Sequence, residues 1–254
     1  MSPFRADHGG ARVRPSPNHG ERRGVAGPDM IVLHYTGMES GQGAEDWLCD
    51  PQSGVSSHYI VHEDGEVVQM VPEGARAWHA GKSFWRGETD INSRSVGIEI
   101  VNPGHFLGYP AFPDAQIEAV AALCRDVAVR HAVAAERVLA HSDVAPGRKI
   151  DPGEKFPWAS LHAAGIGHLV DPVPDLPGPV LVPGDRGAAV AQVRRNLALY
   201  GYSIEIDDLF DEWTGIVVAA FQRHFRPDRV DGRADPATVA TLNRLLDSLQ
   251  PDAA

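Results

Sequence analysis

Apolar and polar positions along the first two thirds of the chain follow the patterns of both strands and helices. Residues 30–33 form a continuous apolar run, which predicts a buried strand that presents His34 at its carboxyl end. Residues 95–101 alternate with period two and predict a second strand, with Glu99 on the face opposite Ile98. A glutamate in the middle of such a strand is out of place on purely structural grounds.

The segments before and between these strands have less regular patterns. Residues 1–29 are rich in Gly, Pro and Arg, which predicts an irregular arm. Residues 57–71 predict a β-hairpin, because two β-rich runs flank the pair Asp64-Gly65, which suits a tight two-residue turn.

A helical pattern and one more short strand follow. Residues 114–131 predict a helix capped by Asp114, because apolar residues recur three and four positions apart. The run 137–140 predicts a brief strand that presents His141 at its end, as the first strand presents His34. Strands that alternate with helices indicate an α/β fold with a central mixed β-sheet flanked by helices.

The last third of the chain differs in character. Residues 171–186 contain five prolines and predict a semi-rigid linker. Residues 187–254 carry three amphipathic segments, of which the third begins with Asp235 as N-cap and Pro236 at the first helical position. The predicted apolar face of the second helix contains Trp213, Val217, Ala220, Phe221 and His224. The pattern therefore predicts a first domain over residues 1–170, the linker, and a small three-helix domain.

Composition narrows the class of protein without changing this picture. The chain has 254 residues, of which 43% are hydrophobic and 22% charged, as in ordinary globular proteins. The formal net charge of −11 argues against a nucleic-acid-binding protein, which usually carries a basic stripe. No run approaches the roughly 18 apolar residues of a membrane helix. The N-terminus has no apolar core region, so it is not a secretory signal as written.

Three side chains are candidates for a catalytic metal site. His34 and His141 end separate predicted strands, and Asp151 follows His141 by ten positions on a loop rich in Pro and Gly. Two histidines and one carboxylate, with an open fourth position, are an established ligand set for catalytic zinc. A single histidine at a strand end is more often a packed residue, and the 12 histidines of this chain allow chance triads.

Two further residues have the chemistry that hydrolysis requires. Glu99 can take a proton from an attacking water molecule, and Lys149 can stabilise the oxyanion of a tetrahedral intermediate. Each also has an ordinary interpretation. Glu99 could pair with an arginine such as Arg94, and Lys149 and Asp151 could belong to a solvated loop.

An ordered series of motifs resembles a known family. The segments are IVLHYTG, SSHYIV, AWHAG, SVGIEIVNPG and AHSDVAPGRKIDPGEKFPW. Together they resemble the zinc-dependent N-acetylmuramoyl-L-alanine amidases of the second amidase family, whose fold is shared with peptidoglycan recognition proteins. The resemblance implies that His34, His141 and Asp151 bind Zn²⁺. It also implies that Glu99 and Lys149 assist hydrolysis of the bond between N-acetylmuramic acid, or its anhydro form, and L-alanine.

Several residues near these motifs are candidates for contacts with substrate. They are Tyr35, His58, Trp78, His79, Asn92 and Arg94. Some have equally good alternatives: His58 could be a hydrogen-bonded residue of the sheet, Trp78 could be core, and Arg94 could be exposed without a function.

The C-terminal region resembles a peptidoglycan-binding module of three helices. The matching segments are PGDRGAAVAQVRRNLALYGY, WTGIVVAAFQRHF and VDGRADPATVATLNRLL. Residues 208–212 lack the glycines that usually flank an aromatic residue before the second helix, so affinity for glycan stays open.

One competing function is a recognition protein of the same fold that binds peptidoglycan without cutting it. Such proteins typically lack a metal ligand, whereas this chain has the full set, which favours the enzyme. The expected partners are peptidoglycan or muropeptide fragments, bound by a monomer. The absent signal favours the cytoplasm, and the wall-binding module favours the periplasm or cell exterior. The sequence leaves the compartment open, together with the choice between intact wall and anhydro fragments.

Overall fold

A mixed β-sheet lies at the centre of the first part of the chain. The computed structural model describes residues 4–171 and 173–249. Its strands are β1 Arg12–Val13, β2 His19–Glu21, β3 Met30–Tyr35, β4 Tyr59–Val61, β5 Val67–Gln69, β6 Ala75–Ala77, β7 Ser95–Ile100 and β8 Val138–Ala140. Six of them form one sheet in the order β1-β5-β4-β7-β3-β8, and β2 pairs with β6 separately. Only the β4–β5 pair of the large sheet is antiparallel, so the predicted mixed sheet is confirmed.

Helices flank this sheet and make up the C-terminal region. They are α1 Gly41–Cys49, α2 Ile91–Arg94, α3 Asp114–His131, α4 His141–Val144, α5 Trp158–Ala163, α6 Ala188–Tyr200, α7 Glu212–Phe225 and α8 Pro236–Ser248. We call α6, α7 and α8 the helical module. The α8 helix begins as predicted, with Asp235 accepting a hydrogen bond from the backbone of Thr238 and Pro236 in the first turn.

The register of the central strands fixes the position of the candidate site. Strand β3 pairs in parallel with β7 on one side and β8 on the other. His34 lies directly beside Glu99 in this register, and His141 follows the last residue of β8. Because parallel strands end at the same edge of a sheet, all three side chains lie at one edge.

Three local predictions differ from the structure. The arm at 1–29 is partly regular, because β1 pairs with β5 and β2 pairs with β6. The hairpin at 57–71 forms, but its connection is longer than two residues. His62 pairs with Glu66 through the backbone, and Gly65 between them takes a left-handed φ of 88°. The long helix α3 starts at Asp114 itself, with Pro113 at the N-cap position.

The helical module packs directly on one face of the sheet. A single cluster of buried apolar side chains includes Met30, Val32 and Leu139 of the sheet with Val190, Leu197 and Phe221 of the module. On the other face, α3 covers a second cluster. The module is therefore part of the same hydrophobic core as the strands that carry the candidate site.

Buried polar contacts reinforce this packing beside His141. Asp143 in α4 accepts hydrogen bonds from Tyr202 Oη and from His224 Nδ1 of α7, both at 2.7 Å. The ring of His224 also stacks on Trp158 at 3.6 Å between centroids. Hydrogen bonds to a buried carboxylate are among the stronger ones in proteins, so α4 is held firmly against the module.

Within the described ranges, none of the helices combines the length and the apolar character needed to cross a lipid bilayer.

The N-terminal arm is attached to α1 through a buried carboxylate. Glu45 accepts hydrogen bonds from Arg12 and Arg14 at 3.0 Å, and its side chain is 2% exposed. Burial would raise the pKa of Glu45, but the two guanidinium groups outweigh it and lower this pKa to about 2. The neighbouring Asp46 also pairs with Arg14 but is 57% exposed.

Glu45→Gln is expected to lower the free energy of unfolding by about 1–3 kcal/mol near neutral pH. The folded pKa of Glu45 lies below its ordinary value of 4.5, so the stabilisation is complete above that pH and lost as the pH falls towards 2. Urea denaturation at a series of pH values measures this, and wild type and variant should converge over that interval. Asp46→Asn is the control and should cost at most about 0.5 kcal/mol. A Glu45→Gln deficit that does not change with pH would contradict the prediction.

Candidate metal centre and active site

Three ligand-type atoms meet at the carboxyl edge of the sheet. His34 Nδ1 lies 2.8 Å from His141 Nδ1 and 3.2 Å from Asp151 Oδ2. His141 Nδ1 lies 2.9 Å from the same carboxylate oxygen, and all three residues are buried. Ligand atoms of a tetrahedral site with bonds of about 2.0–2.1 Å lie about 3.3 Å apart. The observed spacing is close to that value, so the three side chains can hold one metal ion.

The loop that carries Asp151 is tied back to the helix that carries His141. The backbone N–H of Ser142 donates to the carbonyl of Asp151 at 3.0 Å. At the start of the same loop, the N–H groups of Arg148 and Lys149 both donate to the carbonyl of Ala145. These bonds fold the loop between His141 and Asp151 back on itself, which brings the carboxylate next to the two histidines.

Hydrogen bonds fix which nitrogen of each histidine carries its proton. His141 Nε2 lies 3.1 Å from the carbonyl oxygen of Ala80, which can only accept, so Nε2 is the donor. For His34 the assignment follows from a chain of three bonds. Ser95 donates its hydroxyl proton to the Ile91 carbonyl, so Ser95 Oγ accepts from His79 Nε2 at 3.1 Å.

His79 Nδ1 is then the acceptor for His34 Nε2–H, at 3.0 Å. Burial lowers the pKa of His79 well below its usual value, which is consistent with this neutral ring. Both ligand histidines therefore present an Nδ1 lone pair to the third ligand atom of the site. Gly97 makes room for the chain, because a Cβ atom there would lie 2.4 Å from Cγ of His79.

The charge states of His34 and Asp151 suit a cation. Burial, and after it the neighbouring His141, lowers the pKa of His34 to about 4. Burial would raise the pKa of Asp151, but His141 and His34 outweigh it and hold this pKa below its usual range. The neutral imidazole of His34 and the carboxylate of Asp151 thus offer unshared electron pairs and a negative charge to a cation.

Glu99 and Lys149 lie beside this centre. Glu99 Oε2 is buried and has no hydrogen-bond partner within residues 4–171 and 173–249. Burial, and then the charge of Asp151, raises the pKa of Glu99 well above its usual value, while Lys149 acts in the opposite direction. A buried carboxylate oxygen without a partner is costly, and such groups are common where chemistry requires them.

All five residues line one pocket of about 450 Å³. Three of the predicted substrate contacts line it as well: Tyr35, Trp78 and His79. Tyr35 Oη lies 3.1 Å from His105 Nδ1, and His105 Nε2 lies 3.1 Å from a carboxylate oxygen of Glu154. His79 touches the pocket, but both of its ring nitrogens are engaged within the protein.

The other three predicted contacts lie outside the pocket, and their polar groups have partners in the protein. His58 is fully buried, with Nδ1 accepting from the Gly97 N–H and Nε2 close to the Ala75 carbonyl. Asn92 accepts the backbone N–H groups of His79 and Ala80 through Oδ1. Arg94 pairs with Asp29 and Glu88. The positions of these residues support structural roles instead of substrate contacts.

The pocket also has a rim that the sequence pattern did not identify. Phe106 is 91% exposed and Trp47 is 48% exposed, and both line the pocket together with Arg148. Phe106 lies in a 3-10 turn, His105–Leu107, bounded by Gly104 and Gly108. The sequence signal that could have identified Phe106 is an aromatic residue in a short loop bounded by glycines, because such a residue does not belong to an element that packs into the core.

Family models match both parts of the chain. Residues 24–154 match the N-acetylmuramoyl-L-alanine amidase family. Residues 186–242 match a peptidoglycan binding domain. The first match includes all three metal-ligand candidates, Glu99 and Lys149.

Relatives of known activity match over most of the chain. The N-acetylmuramoyl-L-alanine amidase AmiD of Escherichia coli is 36% identical over an alignment of 245 positions, which covers 88% of this chain and 84% of AmiD. The 1,6-anhydro-N-acetylmuramyl-L-alanine amidase AmpD of the same organism is 35% identical and matches 60% of this chain and 89% of AmpD.

Solved structures agree with these matches. AmiD in complex with anhydro-N-acetylmuramic acid-L-Ala-D-gamma-Glu-L-Lys superposes with a TM-score of 0.75 at 35% identity, covering 91% of this chain and 98% of AmiD. AmpDh3 of Pseudomonas aeruginosa with an anhydromuramic pentapeptide has a TM-score of 0.72 at 28% identity, covering 94% and 96%. With its fold, its buried His-His-Asp cluster and these matches, the chain belongs to the N-acetylmuramoyl-L-alanine amidase family.

Proposed function

We propose that this protein is a zinc-dependent amidase that hydrolyses the bond between N-acetylmuramic acid, or its anhydro form, and L-alanine. The observation that carries the proposal is the convergence of His34, His141 and Asp151 in one pocket with Glu99, whose buried Oε2 has no partner in the part of the chain that the structure describes. A substrate amide placed in this pocket meets an acid–base group and the ammonium of Lys149 at the same place. Matches to AmiD and AmpD support the same bond.

The ligand set suits zinc in particular. Imidazole nitrogen and carboxylate oxygen are typical zinc ligands, and three of them leave a fourth position open. Zinc, when bound, supplies a Lewis acid that polarises a carbonyl group and makes water more acidic near neutral pH. Holding the ion is the role that we assign to the Nδ1 atoms of His34 and His141 and to Oδ2 of Asp151.

Glu99 and Lys149 complete the chemistry. Glu99 takes a proton from the attacking water molecule while the oxygen of that water forms a bond to the lactyl carbonyl carbon. Lys149 donates hydrogen bonds to the oxygen on which negative charge develops. When the carbon–nitrogen bond breaks, Glu99 returns the proton to the nitrogen of L-alanine. Atoms balance in this scheme, because one water molecule gives the acid on the lactyl side and the free amine.

The peptide of the substrate continues beyond L-alanine. The AmiD complex contains the arm L-Ala-D-gamma-Glu-L-Lys on anhydro-N-acetylmuramic acid. We infer that this chain accepts the same class of muropeptide. A γ-linked glutamate keeps its α-carboxylate free, so this arm carries negative charge close to the bond that is cut.

We further propose a division of the chain into a catalytic domain at 1–170, a linker at 171–186 and a peptidoglycan-binding-like domain at 187–254. The two family matches support this division, since they cover 24–154 and 186–242.

His79 has a positioning role in this proposal. It accepts the Nε2 proton of His34 and thereby keeps His34 Nδ1 free to bind the ion. Partners of this kind orient metal ligands, and their loss typically weakens metal binding about 10- to 100-fold.

Glu99→Gln is expected to retain zinc and to lower turnover on a muropeptide by about 100- to 10,000-fold, because the proton acceptor is lost. His141→Ala is expected to lose both zinc and turnover. Zinc content by atomic emission and product release by chromatography measure the two effects. Glu118→Gln, on the exposed side of α3, is the matched control and should behave as wild type. Full activity of a zinc-free preparation would refute the mechanism.

His79→Leu is expected to weaken zinc binding about 10- to 100-fold, measured by competition with a chelator. His79→Asn keeps an acceptor near the position of Nδ1, so its loss should be smaller. His162→Asn changes an exposed histidine and serves as the control. Equal zinc affinity in His79→Leu and wild type would show that His79 does not position His34.

A further inference from the structure

We propose that His105 and Glu154 are positioning residues for the hydroxyl group of Tyr35 in the active-site pocket. They hold the proton of this hydroxyl away from the pocket, so that its oxygen accepts a hydrogen bond from an N–H or O–H group of the substrate. This inference rests on the proposed amidase function and deepens it, because it adds two residues outside the pocket wall and states the chemistry of one substrate contact.

The Tyr35 hydroxyl is the end of a chain of hydrogen bonds. Its oxygen lies 3.1 Å from His105 Nδ1, and His105 Nε2 lies 3.1 and 3.2 Å from the two carboxylate oxygens of Glu154. A carboxylate only accepts, so His105 Nε2 is the donor. In the neutral imidazole Nδ1 is then an acceptor, and Tyr35 donates its proton to it. The Tyr35 oxygen therefore has only lone pairs left for another partner.

Two glycines make room for the rings of this chain. A Cβ atom on Gly104 would lie 2.6 Å from Cε2 of Tyr35, and one on Gly153 would lie 2.7 Å from Cε1 of His105. Both glycines also have left-handed φ angles, 72° and 84°. The close approach of the two rings to the backbone thus depends on the absence of a side chain at both positions.

Tyr109 fixes the ring of His105 and attaches its turn to the segment that carries Glu154. The rings of His105 and Tyr109 stack with centroids 4.1 Å apart and planes 21° apart. Tyr109 Oη donates to the Pro152 carbonyl at 2.8 Å and accepts the backbone N–H of Lys155 at 2.9 Å. His105 and Glu154 are therefore held in a fixed relation to each other.

Tyr35 has the position of a substrate contact. It follows His34 at the end of β3, is half-buried, and lines the pocket together with Glu99 and Lys149. A few polar groups of fixed orientation commonly orient a ligand in such a pocket. The proposed substrate offers suitable donors, because its N-acetyl group and the amide bond that is cut each carry an N–H group.

The first test measures KM and kcat of the zinc-loaded full chain on anhydro-N-acetylmuramic acid-L-Ala-D-γ-Glu-L-Lys, the compound bound in the AmiD complex. Tyr35→Phe removes only the hydroxyl and is expected to raise KM about three- to tenfold. We expect kcat to stay within about twofold of wild type, because the hydrogen bond is present before and during the reaction. His105→Leu should have a similar effect, since the Tyr35 hydroxyl loses its acceptor.

A double variant separates a positioning role from a general effect on packing. If His105 acts through Tyr35, the KM of Tyr35→Phe combined with His105→Leu should equal that of Tyr35→Phe alone. His105→Asn keeps an acceptor near the position of Nδ1 and should restore most of the loss seen in His105→Leu. Additive effects in the double variant would overturn the proposal, and so would a fall in kcat at unchanged KM.

Two matched controls accompany these variants. Leu107→Ala changes a side chain of the same turn that is 45% exposed and does not line the pocket. Glu154→Ala is expected to raise KM about two- to fivefold, because His105 Nε2 loses its acceptor. Glu118→Ala removes an exposed glutamate of α3 and is the comparison for it. Leu107→Ala and Glu118→Ala should both keep the wild-type KM.

A second measurement is independent of turnover. Imidazole ¹⁵N spectra at about pH 8, where an ordinary histidine is neutral, show which nitrogen carries the proton. The signals of His105 are those lost in His105→Asn. We expect the proton on Nε2, and we expect Tyr35→Phe to shift the Nδ1 signal towards that of a nitrogen without a hydrogen bond. A proton on Nδ1 would overturn the proposal, because Tyr35 would then accept from His105.

The two measurements also distinguish this inference from the proposed function. If wild type does not cleave the muropeptide, the amidase function fails, and the spectra still decide the proton positions. If wild type cleaves it and KM is the same in Tyr35→Phe, His105→Leu and both controls, only the role of the Tyr35 hydroxyl fails.

Discussion

The parallel pairing of β3 with both β7 and β8 is the constraint on which the rest of the site depends. It places His34 beside Glu99 in register and brings His141 to the same edge, although these residues are far apart in sequence. A shift of one residue in β3 would turn His34 to the opposite face of the sheet. The apolar run that buries β3 on both faces therefore also fixes the geometry of the metal centre.

The site concentrates polar groups where burial makes them costly, and hydrogen bonds offset most of that cost. The relay from His34 through His79 and Ser95 ends on a backbone carbonyl, so each member has one defined proton position. Glu99 is the exception, because one of its oxygens has no partner among the described residues. Because the neighbouring polar groups of the relay have hydrogen-bond partners and this Glu99 oxygen does not, the oxygen is available to accept a proton.

The helical module shares its core with the sheet, which changes how its role can be understood. A tethered wall anchor would need only a flexible connection, whereas here buried contacts reach Asp143, two positions after His141. Close packing of this kind holds the module at a fixed position relative to the sheet and allows it little independent motion. The module therefore helps to hold α4, and with it His141, in place.

The sequence by itself determined the fold class through the periodicity of its strands and helices. An ordered series of motifs pointed to His34, His141, Asp151, Glu99 and Lys149, of which the two histidines end predicted strands. Only the tertiary structure separated His58, Asn92 and Arg94 from the pocket, because it shows their polar groups bound to the Gly97 backbone, the His79 backbone and Asp29, respectively. The same holds for the rim at Trp47 and Phe106 and for the exposed side of Trp213. Helical and strand patterns record which residues avoid water, but not which distant surfaces meet.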